Sequence, residues 1–152
     1  MTHTDDIILK PAGMFAFLKV LPLIFLGLLL LLLAWWLSSY LILLSFVVCI
    51  VAWYRFLYVR SVEYLVTTEY IRISQGIFFK RIDQLEMYRI KDYVMIQPFS
   101  LQLFRLMDLL LKSTDPENPM IWLRGIPESA IIDTIRERVQ EARKYNNIYE
   151  VN

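Results

Sequence analysis

The sequence predicts a membrane-embedded α-helical hairpin, then an antiparallel β-barrel or sandwich of about seven strands, capped by a C-terminal α-helix. Three observations carry this. Apolar residues are concentrated in one early stretch, the period of the pattern changes after Arg60, and one amphipathic segment closes the chain. The 152 residues leave room for about one domain. Hydrophobic residues make up 57% and mean hydropathy is +0.47, above the usual range of soluble domains. Charged residues are still 20%, so the apolar excess is local. The resulting division is a short N-terminal segment (1–13), a transmembrane hairpin (14–60) and a cytoplasmic domain (61–152).

The hairpin follows from length and charge. No charged residue lies between Leu21 and Leu37 or between Tyr40 and Tyr54, and only Ser38 and Ser39 separate the two runs. A bilayer core about 30 Å thick takes about 20 helical residues. The first run reaches that length by extending back toward Met14, with Lys19 snorkelling to the surface. The second runs on to about Tyr58, with Arg55 doing the same. One continuous helix would be too long for a single crossing, so a tight turn at Ser38-Ser39 fits better. A signal peptide does not fit, because a second apolar run follows at once and no Ala-x-Ala-like site is present. Leu28 to Leu33 is apolar on every face, unlike the core helix of a soluble protein.

Lys10 and Lys19 precede the first helix, and Arg55 and Arg60 end the second, whereas the turn carries no charge. The positive-inside rule then puts both termini in the cytoplasm, in a multi-pass protein of the inner membrane. Trp35, Trp36 and Tyr40 mark the outer interface; Trp53, Tyr54 and Tyr58 mark the inner one. Packing within a bundle is the competing reading for these aromatics. Arg55 lies one turn from Tyr58 and Arg60, so snorkelling is preferred over an intramembrane functional charge. Cys49 reads as a small packing residue. Pro22 and Gly27 allow close packing or a bend.

After Arg60 the period shortens. Val62, Tyr64 and Val66 alternate with more polar neighbours, Thr67-Thr68-Glu69 reads as a turn, and Tyr70 to Ser74 continues as a strand. Gln75-Gly76 is a second turn. Further strand segments are Phe78–Gln84, Met87–Ile90, Lys91–Gln97, Leu106–Ser113 and, after the turn-rich Thr114–Pro119, Met120–Arg124. Pro127 suits the first turn of a helix. Ile131, Ile132, Ile135, Val139 and Ala142 form one apolar stripe, with Arg136, Glu137, Arg138, Glu141 and Lys144 on the other side and Asn146-Asn147 ending the helix. The stripe would cover the open end of the barrel.

The order of several short motifs resembles the bacterial PH-like (membrane-flanking) domain family. They are Tyr64-Leu65-Val66-Thr67, Tyr70 to Phe78, Arg81-Ile82-Asp83-Gln84-Leu85, Ile96 to Phe104 and the closing Leu123-Arg124-Gly125-Ile126-Pro127. Ile7 to Pro11 resembles the short segment such proteins carry before their first membrane helix. Leu106-Met107 stands where family members often have glycine, which marks the turn after Phe104 as a departure. The resemblance implies a PH-like fold at the cytoplasmic face and no catalytic residues. The fold hosts lipid binding, peptide binding and scaffolding, so it does not choose among them.

The composition excludes much chemistry. One cysteine and one histidine, His3, make no metal site of the usual spacing. Four scattered glycines form no phosphate-cradling loop. Asp83 and Glu86 read as solvated strand charges. The net charge of +1 argues against nucleic acid as a partner. Residues 61–152 carry 12 Lys/Arg and 13 Asp/Glu, so the positive charge lies beside the membrane. Arg72, Lys80 and Arg81 are the candidates for a headgroup pocket and read as solvated. Pro98 to Leu106 is the most apolar segment outside the hairpin. It is either a short helix plugging the barrel or a docking surface through Phe99, Leu101 and Phe104.

The function expected is therefore a membrane-anchored interaction or scaffold module without cofactor or enzymatic activity. It would contact membrane lipids and a membrane-protein partner or further copies of itself, as a subunit of a larger assembly. Two alternatives are a component of small-molecule or peptide export or resistance, and a peripheral sensor of anionic lipid. Ser45 and Arg55 are the polar residues of the second helix, which disfavours a conduit.

Overall fold

A computed structural model describes residues 6–145. In chain order the elements are β1 (Ile7–Leu9), α1 (Gly13–Trp36), α2 (Tyr40–Arg60), β2 (Glu63–Val66), β3 (Tyr70–Gln75), β4 (Arg81–Glu86), β5 (Ile90–Ile96), α3 (Phe99–Gln102), β6 (Leu106–Ser113), β7 (Met120–Pro127) and α4 (Ile131–Tyr145). His3 and Asn146-Asn147 lie outside the described residues.

α1 and α2 have 24 and 21 residues, about 36 and 32 Å at a rise of about 1.5 Å each. Both exceed the apolar thickness of a bilayer. Only 17% and 11% of their most apolar windows are buried within the protein. A soluble core helix would be covered, so these exposed leucines point to a membrane association. The chain reverses at Leu37–Ser39, as the paired serines suggest. Small residues join the two helices: the Ser45 hydroxyl donates to the Gly27 carbonyl at 2.9 Å, and Ser45 and Ala52 are buried. In lipid such close contacts, rather than the hydrophobic effect, hold helices together.

The seven strands form two antiparallel sheets, β1-β2-β3-β4 and β5-β6-β7. They do not close into a barrel, which settles the choice between barrel and sandwich. Between β4 and β5 the chain makes a 3₁₀ turn at Met87–Arg89, where a strand was expected. Met87 is fully buried there, and the turn carries the chain from one sheet to the other. Alternate residues face inward, such as Tyr64 and Val66, Ile71 and Ile73, Ile121 and Leu123. They join Leu85, Met107, Leu109, Leu111, Ile126 and the α4 stripe of Ile131, Ile135 and Val139 in one core.

Four boundaries differ from the sequence pattern. Ile7–Leu9 pairs with β2, Ile7 opposite Val66 and Leu9 opposite Tyr64, so the N-terminal segment belongs to the first sheet. β4 begins at Arg81 rather than Phe78 because Gly76, at φ +115°, turns the chain where a Cβ would run into the Phe79 carbonyl. β7 runs on to Pro127, which pairs with Leu106, so this proline ends a strand and α4 starts at Ile131. The turn after Phe104 is made by Arg105 at φ +51°, a left-handed conformation taken without glycine.

Arg138 is also a correction. The helical wheel puts it on the solvent side, yet it is buried, and its Nη1 donates to the Val66 carbonyl at 2.7 Å. Arg143 Nη2 donates to the Ile90 carbonyl at 2.7 Å. One arginine reaches a strand of each sheet, so α4 fastens the two sheets together as well as covering their core. The long aliphatic stem lets arginine lie on the apolar stripe while its head finds a carbonyl.

Candidate functional site

The hairpin sits directly on the sheets. Leu9 ends β1, and α1 begins after the three residues Lys10, Pro11 and Ala12. Lys10 Nζ pairs with Glu63 Oε2 at 3.0 Å, which ties the entry of the hairpin to its exit. The Ala12 N–H donates to the Gly125 carbonyl at 2.9 Å. The Gly125 N–H donates to Asp108 Oδ1 at 2.7 Å, at the irregularity in the β6–β7 register. Gly125 has φ +63°, and a Cβ on it would enter the Phe15 ring. Glycine is required there twice, for the backbone conformation and for the close approach.

Tyr64 completes the seat from β2. It is 3% exposed, and its hydroxyl accepts the Arg124 N–H at 2.9 Å. Burial pushes its phenol above the usual tyrosine range, with the Arg124 hydrogen bond opposing. The first turn of α1, three strands and a buried phenol thus meet at one point. The helices and sheets are joined by packing and hydrogen bonds rather than by a loose linker.

A second contact lies alongside. Leu101 of α3 packs with Phe15 and Leu106, flanked by Ala12, Leu18 and Val59. The structure separates the three residues of the apolar segment: Leu101 is buried under α3, whereas Phe99 is 81% and Phe104 38% exposed. Leu103 joins them at the surface. So do Met95 and Ile96 at the end of β5, an edge strand. α3 plugs no barrel; it is seated on the base of the hairpin through Leu101, with Phe99 outward and Leu103 and Phe104 exposed in the turn that follows.

Trp35, Trp36 and Tyr40 are highly exposed around the hairpin turn. At the other end Trp53 stacks on Phe56 and Tyr54 lies against Tyr58, both pairs with centroids 6.4 Å apart. Lys19 lies over the Phe15 ring at 5.4 Å. Arg55 is exposed, and Arg60 lies beside Gly13. Arg72 is occupied by Tyr70 and Gln84, and Arg81 pairs with Asp83 at 2.9 Å, while Lys80 sits in the exposed turn. These three cations do not converge. The Ser45 hydroxyl is used within the hairpin, donating to the Gly27 carbonyl.

Sequence reasoning missed the Ala12–Phe15–Gly125 contact. Gly125 stood out in the closing Leu-Arg-Gly-Ile-Pro pattern, but its partner lies more than a hundred positions away and leaves no local signal.

Two long apolar helices rooted in two antiparallel sheets, with a helix fastened across both, define a membrane-associated PH-like protein. The chain belongs to the bacterial PH domain family, whose model, described as "Bacterial PH domain", matches residues 7–143. The match runs from β1 into α4 and so takes in the hairpin as well as the sheets. Neither a curated protein nor a solved structure matches the chain significantly.

Proposed function

We propose that this protein is a membrane-anchored PH-like interaction module and a subunit of a larger assembly in the bacterial cytoplasmic membrane. Its role is positioning rather than catalysis. Both termini and the two sheets face the cytoplasm. The orientation is supported by Lys10, Lys19, Arg55 and Arg60 at one end of the hairpin and the absence of charge at Ser38-Ser39. A cysteine at Ser38 in a Cys49→Ser background is expected to react with an impermeant thiol reagent in intact cells. Protection there, with labelling of a cysteine at Asn147, would reverse the topology.

The observation that carries the reading is the exposed apolar residues of α3 and of the turn that follows it. Phe99 on α3 and Leu103 and Phe104 in the turn after it are exposed, while Leu101 on the inner side of α3 rests on the base of the hairpin. Exposed aromatic clusters of this kind mark interaction surfaces. Continuity with the hairpin favours a partner that is itself embedded in the membrane.

Phe99→Ser with Phe104→Ser tests this in the full-length chain. The expected result is an unchanged melting temperature and loss of the partner captured in mild detergent. Hot-spot truncations of about 2 kcal/mol correspond to about thirtyfold weaker binding. An intact complex with a folded double variant would refute the docking role.

A further inference from the structure

We propose that the groove between the inner end of the hairpin and the sheets binds the phosphate of an anionic lipid headgroup. This rests on a different surface from the α3 docking side and stands or falls separately. A cavity of about 660 Å³ opens there, with walls from α1, α2, β3, β4 and β7. Four cations line it: Lys19, Arg55, Arg81 and Arg124. Asp83 is the carboxylate among the lining residues, and it is paired with Arg81. Three positive charges are left in excess. Among the described residues Lys19, Arg55 and Arg124 make no ion pair.

The cations are held in place without being neutralised. Lys19 lies over the Phe15 ring, and the Arg124 guanidinium lies over Trp122 at 4.9 Å. Stacking fixes a cation while leaving its N–H donors free for an acceptor. Arginine presents a planar fork that suits phosphate oxygens. Lys19 and Arg55 stand on the two apolar helices, so the groove opens where headgroups lie if the hairpin spans the bilayer. Apolar walls at Pro11, Val59 and Met120 would accept the start of an acyl or glycerol moiety. This convergence leaves no local signal in the sequence, because the four cations come from four elements spread over more than a hundred residues.

The chemistry is that of a phosphate mono- or diester, which a lipid or a soluble phosphate could supply. The test uses the full-length chain in mixed detergent micelles, with phosphatidylglycerol and phosphatidylcholine as competing probes and native mass spectrometry as readout. Wild type is expected to retain phosphatidylglycerol over phosphatidylcholine. Arg55→Gln with Arg124→Gln is expected to weaken retention about twenty-five-fold, at about fivefold per cation near a lipid surface. A control pair of equal charge, Arg72→Gln with Arg136→Gln, is expected to keep it. Both arginines of the test pair are exposed, so folding should survive, and Lys19→Gln alone provides a milder variant.

Retention that resists millimolar inorganic phosphate identifies the lipid as the source. Displacement by inorganic phosphate, lost in the same variants, supports the anion site with a soluble phosphate as its occupant. Equal retention of the two lipids, unchanged retention in the test variants, or equal loss in the control pair would overturn the site.

Discussion

Gly125→Val is expected to prise the sheets from the hairpin. At φ +63° an ordinary residue loses about 1–2 kcal/mol. The new side chain is also driven into the Phe15 ring, and overpacking of this kind costs about 1–3 kcal/mol. Together roughly 2–5 kcal/mol is lost, a large part of the stability of a small domain. The damage falls on the join, because the Gly125 carbonyl receives the Ala12 N–H and its N–H is held by Asp108. Full-length protein in detergent should melt earlier and be cut sooner by protease near residue 61.

A second substitution separates the two causes. Phe15→Ala opens room for the valine but does nothing for the backbone. In the double variant part of the loss should return, and the deviation from additivity measures the contact. If Gly125→Val melts like the wild type, Phe15 is not seated on this strand and the rigid join is wrong.

The same residues show what the sequence could disclose. The hairpin was legible because a charge-free run has a length fixed by the bilayer, and the turn was legible because two serines interrupt it. Alternation made β2 and β3 legible, since one face of each is buried, and a largely apolar run marked β6, which is buried on both faces. Boundaries went astray where tertiary contacts override local pattern. Phe78 and Phe79 look like strand residues, yet Gly76 turns the chain and leaves them exposed. Arg138 looks solvated on a wheel, but a strand carbonyl waits for it across the core. The groove and the seat were hidden for a similar reason. Lys19, Arg55, Arg81 and Arg124, like Phe15 and Gly125, meet only after the chain has folded back on itself.

β1 presents that non-locality as a measurable effect. Residues 61–152 produced alone lack the strand that precedes the hairpin. Ile7 and Leu9 are then missing from the core edge they pack against, and β2 loses its pairing from Val66 to Tyr64. Partial burial of two large aliphatic side chains and a three-residue ladder together contribute roughly 2–3 kcal/mol. The fragment is expected to melt roughly 10–20 °C below a version that carries residues 6–10 joined through a short Gly/Ser linker to residue 62. That linker is feasible because Leu9 lies opposite Tyr64, and the Lys10–Glu63 pair already brings the two ends together. Both proteins lack α1, so the missing Phe15 contact cancels in the comparison. Ile7→Asp in the joined version should abolish most of the gain, since a carboxylate would face the partly buried edge without a partner. Equal melting temperatures for fragment and joined chain would show that β1 adds no stability, and the domain would then begin at β2.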